Sequence, residues 1–361
     1  MDRIQELEEE LRKTPYNKAT QHHIGRIKAR ISRLKEEAKN RIKKKTISTG
    51  FALRNSGDAT LVIVGFPSVG KSTLLNKLTG SDSPVADYDF TTLNVIPGIM
   101  EYHGARIQVL DVPGLIKGAS GGRGRGKEVL SVIRNSDIIA IIIDVFNIHQ
   151  LETLNNELYE AGVRLNQHPP KIKIEKMDGG GLNVTTSVQL SQINVETIKI
   201  VLIESRIHNA NVVISEDVSI DQIIDAISGN RVYIPSILVL NKIDLVRNHY
   251  LSEVKKQLPN CIGISAVKGY NLDKLQSDIY LKLKFIRIFT KKPGKKPDLE
   301  KPIIMVNGST VGDVCDRMHA DFKKKIIYAK IWGRSVKHSG QMVGLDHKLK
   351  DKDVLAISIK R

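Results

Sequence analysis

The chain has 361 residues, 41% of them apolar, which allows two or three domains with full cores and argues against global disorder. No apolar run reaches membrane-spanning length, the N-terminus does not read as a signal peptide, and the two cysteines, Cys261 and Cys315, are spaced as reduced thiols, so no membrane partner and a cytoplasmic setting are expected. The net charge of +17 sits at the ends: residues 1–45 hold 14 Lys/Arg against 7 Asp/Glu, residues 286–361 hold 18 against 8, and the middle holds 24 of each, a pattern suited to nucleic-acid phosphates more than to mere solubility.

Residues 1–45 read as a helical hairpin. Ile4, Leu7 and Leu11 recur at helical spacing, as do Ile24, Ile27, Ile31, Leu34 and Ala38. Thr14 is the expected N-cap of the second helix and Pro15 its first residue. A short hairpin is marginal alone, so it should dock, either as an RNA or ribosome contact or as a packing arm.

Residues 46–163 read as the first part of a nucleotide-binding domain. The apolar strand Leu61-Val62-Ile63-Val64 leads into Gly65-Phe66-Pro67-Ser68-Val69-Gly70-Lys71-Ser72, and Leu74, Leu75 and Leu78 follow at helical spacing. Gly-x4-Gly-Lys-Ser between strand and helix is the phosphate-binding P-loop. The glycines let backbone N–H groups curl around a phosphate, and the helix mouth adds partial positive charge. The predicted nucleotide contacts here run from Gly65 through Ser72 to Thr73, with Lys71 reaching the outer phosphates and Ser72 on Mg²⁺.

In Asp87-Tyr88-Asp89-Phe90-Thr91-Thr92-Leu93, Thr92 is the favoured second Mg²⁺ ligand, ahead of a strand at Asn94–Met100. The next strand, Arg106–Leu110, ends in Asp111-Val112-Pro113-Gly114. Asp111 can hold Mg²⁺ through water, and the Gly114 N–H can meet the γ-phosphate. The glycine-rich stretch 118–126 then reads as a switch loop.

Ile138–Ile143 and Ile237–Leu240 are apolar runs of the kind that form buried parallel strands. The second leads into Asn241-Lys242-Ile243-Asp244, and Ser265-Ala266 follows another strand. The Asp244 carboxylate can accept from guanine N1–H and its 2-amino group, which adenine does not match, so GTP is favoured over ATP. Backbone amides at Ser265 and Ala266 can meet guanine O6.

Asp111 and Asn241 lie 130 positions apart, about twice what one intervening helix–strand–helix unit needs. An α+β insertion over 164–233 fills the gap, with strands at Lys171–Lys176, Ile198–Ile203 and Val212–Ile214 and a helix at Ile220–Ile227. The domain resumes over 234–288 and closes on a helix at Leu272–Ile286. After a linker at Lys291–Pro297, residues 289–361 read as one helix on a small mixed sheet, with strands at Ile303–Val306, Ile326–Ile331 and Val354–Ile359. Trp332 is either core or a base-stacking ring.

These motifs, with Asp111-Val112-Pro113-Gly114-Leu115-Ile116-Lys117-Gly118-Ala119 foremost, resemble those of the developmentally regulated GTP-binding protein family, among the Obg-related translation-factor GTPases. The resemblance implies a doubly wound, mainly parallel P-loop GTPase sheet, the N-terminal hairpin, an S5D2-like insertion and a C-terminal TGS domain of β-grasp shape. It also implies ribosome or RNA binding, a role in translation and a stabilising partner protein. Leu115 stands where many GTPases carry a water-orienting Gln, so intrinsic hydrolysis should be slow or draw on a cation or partner. K⁺ is a second cation to consider, although relatives that use it often carry Asn at the position of Ser68.

The expected function is Mg²⁺-dependent hydrolysis of GTP to GDP by a ribosome- or RNA-associated switch, with Lys71, Thr92 and Gly114 as the catalytic set and Ser72, Thr92 and Asp111 on the metal. A nucleotide-dependent scaffold without turnover is one alternative, and a G domain gating an RNA-modifying activity is another.

Overall fold

The computed structural model describes residues 2–43, 57–80, 96–112, 126–291, 295–319 and 321–359. Thr92, Gly114, Leu115, the glycine-rich loop up to residue 125, Lys44, Lys45 and part of the 291–297 linker lie outside the described residues. Two compact units emerge: Met1–Ala52 with Leu158–Tyr233, and Leu53–Glu157 with Ile234–Arg361.

The second unit holds a six-stranded sheet in the order Cys261–Gly263, Ser236–Asn241, Ile138–Asp144, Ala59–Val64, Ala105–Asp111, Ile96–Tyr102. Neighbours are parallel except for the final antiparallel pair. Ala59–Val64 and Ile138–Asp144 are buried along their whole length, because a parallel sheet is covered on both faces. Leu61, Ile63, Val109 and Ile142 share one core with Leu74, Leu75 and Leu78 of the helix Lys71–Thr79, and with Leu275 and Ile279 of the helix Leu272–Lys282. That packing sets the P-loop at the carboxyl ends of the strands, where open α/β sheets take ligands.

A second sheet in this unit runs Asp298–Val306, Phe285–Thr290, Val354–Ile359, Ile326–Trp332, Gln341–Val343. Helix Val311–Met318 covers one face, its Val311, Val314 and Cys315 meeting Ile286, Ile288, Ala329, Ile331 and Leu355. A capping box starts this helix: Thr310 Oγ1 accepts from the Asp313 N–H, and Asp313 accepts from the Thr310 N–H. The result is the expected β-grasp. One expectation is corrected here. The helix over Leu272–Ile286 ends at Lys282, and Phe285–Thr290 is a strand of the second sheet. Lys284, at φ 52°, reverses the chain, and the alternating residues beyond it pair with Asp298–Val306.

In the first unit, helices Asp2–Lys13 and Gln21–Lys43 accompany a three-stranded sheet ordered Ile172–Lys176, Ala210–Ile214, Leu182–Thr186, with helices Val195–Glu204 and Ile220–Ser228. Ile24 and Ala29 of the long helix enter the same core as Ile198, Val201, Leu202, Val212 and Ile223. The helices come close at Gly25, where a Cβ would lie 2.8 Å from Thr197 Cγ2.

Two local expectations fail in this unit. The second helix starts at Gln21, not at Pro15. Thr14 Oγ1 donates back to Glu10 O, and Asn17 Oδ1 accepts from the Thr20 N–H, so short polar side chains hold the backbone in a turn. Ile198–Ile203 is helix rather than strand. Asn194 caps it, accepting from the Thr197 N–H at 2.8 Å, and Ile198, Val201 and Leu202 bury one helical face. Burial at a period of 3.6 outweighs the β preference of the branched residues.

Arg164 and Asp225 form a bidentate pair at 2.6 and 2.7 Å, 3% and 5% exposed, and Arg231 Nε joins at 2.9 Å. Asp225→Ala strips the carboxylate from a buried guanidinium, so unfolding of this unit should become easier by about 3–5 kcal/mol. Chemical denaturation of the full chain measures this, and a change under about 1 kcal/mol would contradict it.

Candidate nucleotide-binding site

Strand Ala59–Val64 delivers the loop Gly65–Gly70 onto the helix Lys71–Thr79, and each glycine has a packing reason. A Cβ on Gly65 would lie 2.5 Å from the Ile142 carbonyl oxygen of the adjacent strand. Gly70 sits at φ 99°, and a Cβ there would collide with Asn241 Nδ2. Ser68, exposed at φ 62°, takes the loop's other left-handed position. Phe66 packs against the sheet core and Val69 is buried, while Pro67, Ser72 and Thr73 are exposed. Gly70 caps the helix with no side-chain acceptor among the described residues, which suits the first-turn N–H groups to an anion.

Lys71 Nζ donates to the carbonyls of Gly65 at 3.1 Å and Phe66 at 3.0 Å. Burial pulls its pKa below the ordinary lysine value, and the charge of Asp111 opposes that shift. Ser72 Oγ donates to Asp111 Oδ2 at 2.6 Å. Asp111 is itself buried, and its other oxygen, Oδ1, has no partner among the described residues.

The segment after Ser236–Asn241 is fastened to this loop. Asn241 Nδ2 donates to the Val69 carbonyl at 2.8 Å, and its Oδ1 accepts from the Ala266 N–H at 3.0 Å. Lys242, at φ 64°, donates from Nζ to the Ser68 carbonyl at 2.8 Å and pairs with Asp144 Oδ2 at 3.4 Å. Asp244 lies half-buried in the short 3₁₀ turn Ile243–Leu245. Ser265 is buried, and its Oγ accepts from the Lys268 N–H.

The predicted residues thus gather at one end of the sheet, with Thr92 and Gly114 outside the described residues. Asp144 belongs to the site although no motif in the sequence marks it. It stands in register beside Asn241, and its Oδ1 also accepts from the Phe146 N–H and Asn147 Nδ2. The available signal was a carboxylate ending an all-apolar run, a place where a charge survives only with partners.

A glycine bend and helix mouth joined to an Asn-Lys clamp on a doubly wound sheet define a GTP-binding protein of the P-loop GTPase class, here with a C-terminal TGS domain. Residues 60–177 match the family described as 50S ribosome-binding GTPase, 179–285 that described as the C-terminal region of its domain, and 286–359 the TGS domain. A GTP-binding protein of Methanocaldococcus jannaschii is 53% identical, the match covering 100% of this chain and 93% of the relative. Developmentally-regulated GTP-binding protein 1 of Xenopus laevis is 43% identical over 98% of each. The chain belongs to the developmentally regulated GTP-binding protein family. Among solved structures, the YchF GTPase of Schizosaccharomyces pombe matches 87% of this chain and 100% of its own at 14% identity, with a TM-score of 0.45.

Asn241→Ala removes a side chain that bridges two loops and leaves the Ala266 N–H unpaired. Folding stability should fall by about 1–3 kcal/mol, measured by denaturation without nucleotide. An unchanged midpoint would show that the two loops hold without it.

Proposed function

We propose that this chain hydrolyses GTP to GDP and phosphate with Mg²⁺, and works in the cytoplasm as a ribosome- or RNA-associated switch in translation. The observation that carries the catalytic part is the Ser72–Asp111 pair, 2.6 Å apart, with Asp111 Oδ1 buried and, among the described residues, unpartnered beside it. An all-oxygen donor set of this kind fits a hard cation that keeps water and phosphate ligands. Ser72 and Asp111 would hold Mg²⁺, with Thr92 as the third expected donor. Once bound, the ion neutralises charge on the phosphate oxygens.

The remaining roles fall to the chain itself. Loop amides from Gly65 to Thr73 wrap the phosphates, and the Lys71 ammonium exchanges the Gly65 and Phe66 carbonyls for phosphate oxygens as charge builds on them. A water oxygen bonds to the γ-phosphorus while the bond to the β,γ-bridging oxygen breaks. GDP departs with that electron pair, and the water's protons pass to the phosphate product and solvent. The Gly114 amide is assigned to the γ-phosphate. Asp244 reads guanine, flanked by Asn241, Lys242, Ser265 and Ala266. Clamping of Asn241 and Lys242 onto the P-loop supports this reading, because base and phosphate sites then form one body. The RNA part rests on the basic ends and the family.

Asp244→Asn should weaken GTP binding about 10- to 100-fold and relax base choice, measured by parallel titration with GTP and ATP. Equal ATP binding by the unmodified chain rejects the base assignment. Ser72→Ala should depress Mg²⁺-dependent phosphate release in an assay run with and without K⁺. Turnover that does not change removes Ser72 from the metal.

A further inference from the structure

The C-terminal sheet has two faces. One is filled by helix Val311–Met318 and carries Ala329 and Ile331. Strand alternation turns Tyr328, Lys330 and Trp332 to the other face. At one corner of that outer face, Phe285 and Ile304 join the core of the six-stranded sheet. On the other side Tyr328 and Met342 are exposed, and Lys330 and Trp332 are only half-buried. Lys330 lies in register with Met342 on one flank and Ala356 on the other.

We propose that this outer face is a docking platform for single-stranded RNA, with bases stacked on Trp332 and Tyr328 and phosphates held by Lys291 and Lys330. The proposal rests on the RNA-associated reading above and gives it a location.

Four observations carry it. The two rings stand four residues apart on one strand, about 13 Å, so one extended strand can reach both with Lys330 between them. Each ring has a lysine over it: Lys291 Nζ lies 4.6 Å from the Trp332 centroid and Lys330 Nζ 5.5 Å from that of Tyr328. Gly340 packs close to the indole, since a Cβ there would lie 3.1 Å from Nε1. Residues 286–361 carry a net charge of +10, which favours a polyanion over an apolar partner.

A partly exposed cation–π contact is no stronger than a base stacked on an aromatic ring. A base can therefore displace the Lys291 ammonium from the indole, and the freed charge then meets the adjacent phosphate. A duplex does not fit, because its base faces are already stacked and only unpaired bases can lie flat on a sheet.

Trp332 is the single tryptophan of the chain, so its fluorescence reports on this face alone. The probe is an oligouridylate of about ten nucleotides, compared with an RNA duplex of equal length. The full chain should show saturable quenching with the single strand and little with the duplex. With a labelled oligonucleotide, Trp332→Ala and Tyr328→Ala should each bind about 5- to 150-fold more weakly, while Trp332→Phe keeps most of the affinity. Lys291→Gln or Lys330→Gln should lower the salt slope by about 0.7 each. GTP affinity and thermal midpoint are read alongside, and Trp332→Phe guards against a folding defect.

Oligonucleotide binding that survives both ring substitutions overturns the platform and leaves the RNA reading standing. Absence of binding by the unmodified chain at low salt takes both away. Preference for the duplex overturns the single-strand assignment. Loss of ribosome retention in Trp332→Ala with unchanged oligonucleotide binding gives the face to a protein partner instead.

Discussion

One carboxamide joins two loops that the sequence separates widely. Asn241 lies 172 positions from Val69, yet its Nδ2 donates to the Val69 carbonyl while its Oδ1 accepts from the Ala266 N–H. Both partners are backbone groups that would otherwise be buried without a bond, so the side chain is held from both ends. The P-loop is thereby a fixed length from the segment that carries Asp244. Gly70 is the complement of this constraint, since any Cβ at that position would occupy the space of the Asn241 amide. Lys242 repeats the fastening one residue on, through the Ser68 carbonyl and Asp144.

The two sheets of this unit put different chemistry on their surfaces. The six-stranded sheet is mainly apolar, with Thr60 and Gln108 as buried polar exceptions within the strands, and Asp111, Asp144 and Asn241 each stand last in their strand. The carboxylates there are offset by cations, Lys242 pairing with Asp144 and Lys71 feeling the charge of Asp111, and the lysines with the helix mouth supply the positive charge that suits a polyphosphate. The C-terminal sheet spends only one face on its helix. Its other face mixes rings and lysines, a composition that suits a flexible polyanion better than a core.

Much of this was legible along the chain. The P-loop, the strands Ala59–Val64, Ile138–Asp144 and Ser236–Asn241, and the helices Ile220–Ser228 and Val311–Met318 follow from local patterns: glycine spacing, unbroken apolar runs and caps. The misread segments are those where two local preferences compete. Branched residues at 198–203 favour a strand by propensity, yet burial of Ile198, Val201 and Leu202 on one face makes a helix. Thr14-Pro15 looks like a helix start, yet the Asn17 and Thr20 side chains bind the backbone first. The alternation at 285–290 hid behind the end of a helix, and only the partner strand at 298–306 reveals it.

The sequence by itself determined which ligand chemistry to look for, because glycines, a lysine, hydroxyls and a carboxylate at fixed spacing act through nearest neighbours. Only the tertiary structure decided why Gly65 and Gly70 must lack side chains, that Asp144 anchors Lys242, and that the N-terminal helices share a core with residues 193–224. Each of these is a contact between residues far apart in the chain. Such contacts depend on how sheets and helices stack, and no local pattern of residues records the partner.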